Sequence, residues 1–200
     1  MKKSPSAVKK ENPFSGLRPL YFFFLVLFLF AAVILTSAPA VNALESLRTG
    51  MKGPDFVLKD MNGRTTEFAG IEGQKLTVLL FWSTWSAYSK QALEQMERLY
   101  SKYKSKGLSV VAIDVDAQEI TGQTLSQIKS EIDGMKLDIP VSIDYGLVAF
   151  HDYGVIAVPS TVILDKNRVI KYELAGFPLI GSDDMADYIE ASFKPATLLP

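Results

Sequence analysis

The chain predicts an α/β domain with a central mixed sheet flanked by helices, and three patterns carry that expectation. Residues 76–82 read as a continuous apolar run, too short for a buried helix and rich in strand-favouring residues, and residues 108–115 as another apolar strand. Between them, residues 90–104 repeat apolar positions at spacings of three and four: Leu93, Met96, Leu99, Tyr100 and Tyr103. That spacing marks one face of a helix, ending before Gly107. Two parallel strands at Val78 and Val110 joined by this helix make a right-handed crossover. The third pattern is a strand pair over 160–174 followed by an amphipathic stretch, 183–193, with Met185, Tyr188, Ile189 and Phe193 inward. Such an order places helices on both faces of the sheet.

The remaining elements fill in around these. Residues 44–53 are a short polar lead-in, and residues 54–60 read as a strand. Asn62-Gly63 supplies the positive φ of a tight hairpin turn, and residues 65–68 return as the second strand. A shorter helix is expected over 124–132 from Leu125, Ile128 and Ile132. Residues 141–143 are a brief extended piece, 147–153 a helical turn or two, and 165–168 the turn between the last two strands. The domain therefore spans 54–194, followed by a tail at 195–200. No internal repeat or low-complexity tract divides it.

Residues 1–43 stand apart from this domain. The run at 20–35 is wholly apolar, and no charge occurs between Arg18 and Glu45. Lys2, Lys3, Lys9, Lys10 and Arg18 precede it against Glu11 alone, so the positive-inside rule keeps the N-terminus cytoplasmic and sends the rest across. The expected location is extracytoplasmic: the periplasm or the outer face of the cytoplasmic membrane. An apolar core of about 16 residues falls between a signal-peptide core and a spanning helix. Ala38-Pro39-Ala40 and Val41-Asn42-Ala43 both fit a small-residue cleavage site, so the segment is either removed or kept as an anchor. No cysteine follows it, which excludes a lipoprotein anchor.

Composition narrows the chemistry. With 48% hydrophobic and 22% charged residues the chain is an ordinary globular protein. Residues 44–200 carry a net charge of about −5, which argues against a nucleic-acid partner. The chain has no cysteine and one histidine, so soft or borderline metals lack ligands and no cofactor is expected. His151 reads as a surface residue on the short helix at 147–153, leaving any serine without a base. No nucleophile elbow and no lysine-containing phosphate loop is present. Asp114 and Asp116 lie at a strand end where alternating side chains point opposite ways, and both read as solvated.

Two segments go further. Phe81-Trp82-Ser83-Thr84-Trp85-Ser86-Ala87-Tyr88-Ser89 resembles the strand-to-helix turn of the TlpA/ResA-like thioredoxin family, which usually reads F-W-A-T-W-C-x-x-C. Gly154-Val155-Ile156-Ala157-Val158-Pro159-Ser160-Thr161 is similar to that family's G-V-x-x-V-P-T-T. The Pro54-Asp55-Phe56 opening, the Asn62-Gly63 hairpin and an insert between Asp116 and Asp144, lying between a strand and the following helix, fall in the same order. The resemblance implies a thioredoxin fold with an N-terminal β-hairpin. It also implies a cis Val158–Pro159 bond facing the strand-to-helix turn, and thiol-disulfide exchange as the usual activity.

The departures fall on the chemistry. Ser86 and Ser89 stand where the family has its two cysteines, and Ala92 and Glu94 where it commonly has a glutamate and a proline. Thiol exchange needs a thiolate to attack and a sulfur to leave, and serine supplies neither. No catalytic residue is therefore expected. In this fold the residue before the cis-proline pairs its backbone with an extended peptide. The candidate binding residues are thus Trp85, Ser86, Ala87, Tyr88, Ser89, Val158 and Pro159, with Trp85 and Tyr88 as aromatic walls. Two readings stand: a non-catalytic module for an extended peptide or protein partner, or an accessory to a thiol-redox or cytochrome c maturation pathway that docks with true oxidoreductases. The membrane is a further partner if residues 1–43 are retained.

Overall fold

A computed structural model describes residues 49–116, 121–176 and 182–194. The expectations for residues 1–43, for the start of the lead-in and for the tail at 195–200 lie outside the described residues. Among the described residues no helix is long and apolar enough to cross a membrane.

Seven strands form one sheet. In chain order they are β1 (Val57–Asp60), β2 (Thr65–Glu67), β3 (Leu76–Trp82), β4 (Leu108–Asp114), β5 (Val141–Ile143), β6 (Ser160–Asp165) and β7 (Ile170–Ala175). The helices are α1 (Ala87–Tyr103), α2 (Gly122–Met135), α3 (Val148–Asp152) and α4 (Ser182–Phe193). Across the sheet the strands run β2-β1-β5-β4-β3-β6-β7. β4 is parallel to both β3 and β5, while β6 is antiparallel to β3 and β7. This is the mixed sheet that the order of elements predicts.

The apolar runs take the centre because both of their faces need cover. Every residue of β3 is buried, and its side chains divide by alternation between two cores. Val78, Leu80 and Trp82 face Leu93 and Met96 of α1, Ile128 of α2, and Met185 and Ile189 of α4. Leu79 and Phe81 face the other way, toward Phe56, Phe68, Ala149 of α3 and Tyr153. The helix spacing read from sequence therefore supplies one layer, and α3 with the segment around β1 supplies the other.

Several boundaries move. The first strand begins at Val57 rather than Pro54, and α1 begins three residues before Lys90. In the hairpin only Gly63 has a positive φ, 78°, so the connection is longer than a two-residue turn. The Asp60 carboxylate closes it by accepting from the Asn62 and Arg64 N–H groups. α1 ends through a 3-10 turn, Lys104–Lys106, onto Gly107 at φ 100°, a left-handed position that suits glycine. The lead-in is more than a spacer: Gly50 donates to Ile170, and Ile170 to Met51, so its end lies along β7.

Candidate functional site

The candidate residues come from two loops that leave the same end of the sheet. β3 ends at Trp82 and turns into α1, while β6 begins at Ser160, directly after Val158 and Pro159. Phe81 and Ser160 are paired neighbours, so the strand register brings the 83–86 turn and the 157–159 loop side by side. The Val158–Pro159 bond is cis. The Ser160 hydroxyl donates to the Ala157 carbonyl at 2.6 Å and tightens that loop. Among the described residues no hydrogen bond occupies the Val158 N–H or carbonyl.

Both serine hydroxyls bond the backbone. Ser86 is the N-cap of α1, its backbone extended and its Oγ accepting the Ser89 N–H at 3.3 Å. Ser89 is fully buried one turn on, and its Oγ accepts the Ser83 N–H at 3.2 Å. The two hydroxyls thus satisfy backbone donors at the strand end and the helix start. No hydrogen bond links His151 to either serine among the described residues; its ring lies edge-on to Phe150, centroids 5.5 Å apart, on the exposed side of α3. The surface placement expected for this histidine holds. Among the described residues, His151 therefore supplies a base to neither hydroxyl.

Around this bonded centre the surface is apolar. Trp85 is 69% exposed, Tyr88 49% and Ile156 86%, while Ala87 is exposed and Val158 half-buried. Pro159 is buried. Ile156 was not among the sequence candidates. It sits between buried Val155 and exposed Ala157 in a loop without regular periodicity, so no sequence pattern marks it as outward. Ala92, at the place where the family commonly has glutamate, is buried in the core against the helix-bearing face.

The reading of Asp114 and Asp116 is corrected. β4 ends at Asp114, and Asp116 lies two residues beyond it, close enough that the two carboxyl groups act on one another. Asp114 is fully buried rather than solvated. Its Oδ1 accepts the Asp116 N–H at 3.1 Å, and its Oδ2 meets no hydrogen-bond partner among the described residues. Burial first, and then the neighbouring Asp116 charge, push its pKa up to about 8. Asp116 is half-buried and clamps the turn: its carboxylate accepts the Thr84 N–H at 2.7 Å and the Thr84 hydroxyl at 2.6 Å. Gln127 of α2 donates to the same Thr84 oxygen at 3.3 Å. A cue for this was present in the sequence, since Asp114 follows the apolar stretch Val110-Val111-Ala112-Ile113 at the end of β4.

Comparison with known proteins agrees with this geometry. The AhpC/TSA family matches residues 49–173. Thiol-disulfide oxidoreductase ResA of Bacillus thuringiensis subsp. konkukian is 33% identical over 132 residues, covering 66% of this chain and 72% of the relative. Thioredoxin-like protein YneN of Bacillus subtilis is 34% identical over 126 residues, 62% of this chain and 70% of the relative. Among solved structures, a thiol:disulfide interchange protein DsbE from Chlorobium tepidum superposes with a TM-score of 0.65. It is 24% identical, covering 74% of this chain and all of that one, and it supports the thioredoxin-like fold. The same strand-to-helix turn and proline loop, now seen side by side on one sheet end, place this cysteine-free chain in the AhpC/TSA family as a homologue of the ResA and YneN proteins.

Proposed function

We propose that this protein is a non-catalytic thioredoxin-like binding module, exported from the cytoplasm, that takes an extended segment of a peptide or protein partner along the 156–159 loop and the 83–89 turn. One observation carries the reading. The hydroxyls that replace the sulfurs are spent on backbone hydrogen bonds, while Trp85, Tyr88 and Ile156 beside them are left exposed. Exposed aromatic and branched side chains next to a free backbone edge suit an incoming strand: the Val158 backbone pairs with it and the apolar side chains grip alternate residues. Trp85, Tyr88 and Val158 make the contacts, and Ser86, Ala87, Ser89 and Pro159 shape the surface that presents them. The apolar run at 20–35 with its basic flank supports an extracytoplasmic location.

A second reading has its own support in the names of the relatives, which are thiol-disulfide oxidoreductases. In it the partner is a cysteine-bearing redox protein, and this chain is an accessory that docks without exchanging thiols. Both readings are tested by presenting the full chain with a library of extended peptides, cysteine-containing and cysteine-free. The first predicts binding that does not depend on cysteine and weakens at least tenfold in Trp85→Ala. Binding restricted to cysteine-containing peptides selects the second, and binding indifferent to Trp85→Ala, Tyr88→Ala and Ile156→Asp removes the groove from both.

A further inference from the structure

At the end of the sheet away from the 83–86 turn, three lysines leave three adjacent strand ends. Leu76 pairs with Leu108 on one side and Asp165 on the other, so Lys75, Lys106 and Lys166 project from one pole of the domain. All three are exposed and border a single open depression of about 590 Å³. None has a carboxylate partner among the described residues. Asp165, the carboxylate in that depression, is already engaged: its Oδ1 accepts the Asn167 and Val169 N–H groups, and Lys171 lies 3.6 Å from its Oδ2.

Aromatic rings hold two of these cations in place. The Lys75 ammonium lies 5.2 Å over the Phe193 ring and the Lys106 ammonium 5.2 Å over Tyr103, and those two rings stack at 4.9 Å. Stems laid over aromatic faces with charged heads outward lose less entropy on meeting an anionic partner than free lysines do. In a domain whose net charge is about −5, this cluster runs against the general balance.

We propose that this pole is a docking face for an anionic phospholipid surface. Its broad, open depression and spread of ammonium groups suit a plane of headgroups better than a single small anion, and the apolar sequence at 20–35 brings the chain to a bilayer. The seven residues of β3, at about 3.3 Å each, set the lysine pole roughly 20 Å from the 83–86 turn, so docking by this pole turns the groove toward the aqueous side. The proposal rests on the membrane reading of residues 20–35, and its test separates the two.

The full chain is reconstituted into nanodiscs containing either anionic phosphatidylglycerol or only zwitterionic phosphatidylcholine, and lysine reactivity toward an amine label is read by mass spectrometry. In anionic discs Lys75, Lys106 and Lys166 are expected to react about fivefold more slowly than in zwitterionic discs, the effect of attraction near a charged surface. Lys59, whose strand pairs with Ile143 toward the other end, is unchanged. High salt removes the protection, and in a Lys75→Glu/Lys166→Glu variant Lys106 returns to its zwitterionic rate. Equal labelling in both discs overturns the docking face and leaves the membrane reading standing. A chain that does not enter discs overturns both. Protection produced equally by soluble polyphosphate with zwitterionic discs makes the occupant a soluble polyanion and overturns the phospholipid assignment.

Discussion

Ser86 illustrates how a catalytic position can be reused by the fold. Its Oγ accepts the Ser89 N–H at 3.3 Å, a donor it shares with its own backbone carbonyl at 3.0 Å, and caps the first turn of α1. Ser86→Ala should therefore lower stability by about 1 kcal/mol, read as a lower urea midpoint at unchanged slope, and Ser86→Asp, another good cap, should recover most of it. Asp114 makes a different kind of contribution. Burial and the Asp116 charge lift its pKa to about 8, so the folded state holds a proton that the unfolded chain releases near pH 4. Below about pH 4 both states are protonated and the contribution is whole; as pH rises toward 8 it is lost, because the unfolded state gives up the proton first. Stability should fall across that window in the native chain. Asp114→Asn mimics the neutral acid and should flatten the profile, measured as the unfolding midpoint from pH 5 to pH 9; an unchanged slope refutes the assignment.

At the scale of elements, the β3–α1 turn keeps the shape of a redox motif while its chemistry is gone. Ser86 and Ser89 occupy the N-cap and third positions of α1, and their groups already meet across one turn. Ser86→Cys with Ser89→Cys should close a disulfide under mild oxidant, seen as a mass lower by two hydrogens in folded protein, because the Cβ atoms there can reach the roughly 3.5–4.5 Å such a bond requires. The helix start also favours a thiolate, through its free N–H groups and dipole. Thiol exchange should return only in part. Adding Ala92→Glu should raise the rate but lower Tm, since Ala92 is buried against the core and a carboxylate there must be desolvated. Failure of the double-cysteine protein to oxidise while folded shows that the turn lacks this geometry. The Thr84–Asp116 clamp fixes the same turn to β4, which makes its position a property of two strands rather than of one loop.

For the whole molecule, the absence of cysteine removes thiol-disulfide exchange by the chain's own side chains before any geometry is considered. The purified chain should neither reduce insulin disulfides nor oxidise a dithiol peptide, and turnover that survives rigorous purification contradicts the non-catalytic reading. The molecule then has two poles of different character. One carries exposed Trp85, Tyr88 and Ile156 near a bonded serine pair, and the other carries the lysines at the starts of β3 and β4 and the end of β6.

The sequence by itself determined the sheet, the order of its elements and the loss of thiol chemistry, because periodicity and residue type are local properties that neighbours along the chain reveal. Leu76–Trp82 announced a strand covered on both faces, and the two serines announced that no sulfur could exchange. Tertiary structure alone decided what those serines bond to, that Asp114 is buried beside a residue two positions on, that Ile156 faces outward, and that Lys75, Lys106 and Lys166 converge. Each of these depends on strand register and on contacts between segments tens of residues apart. Burial, desolvation and the field of a neighbouring charge exist only once those segments are packed together.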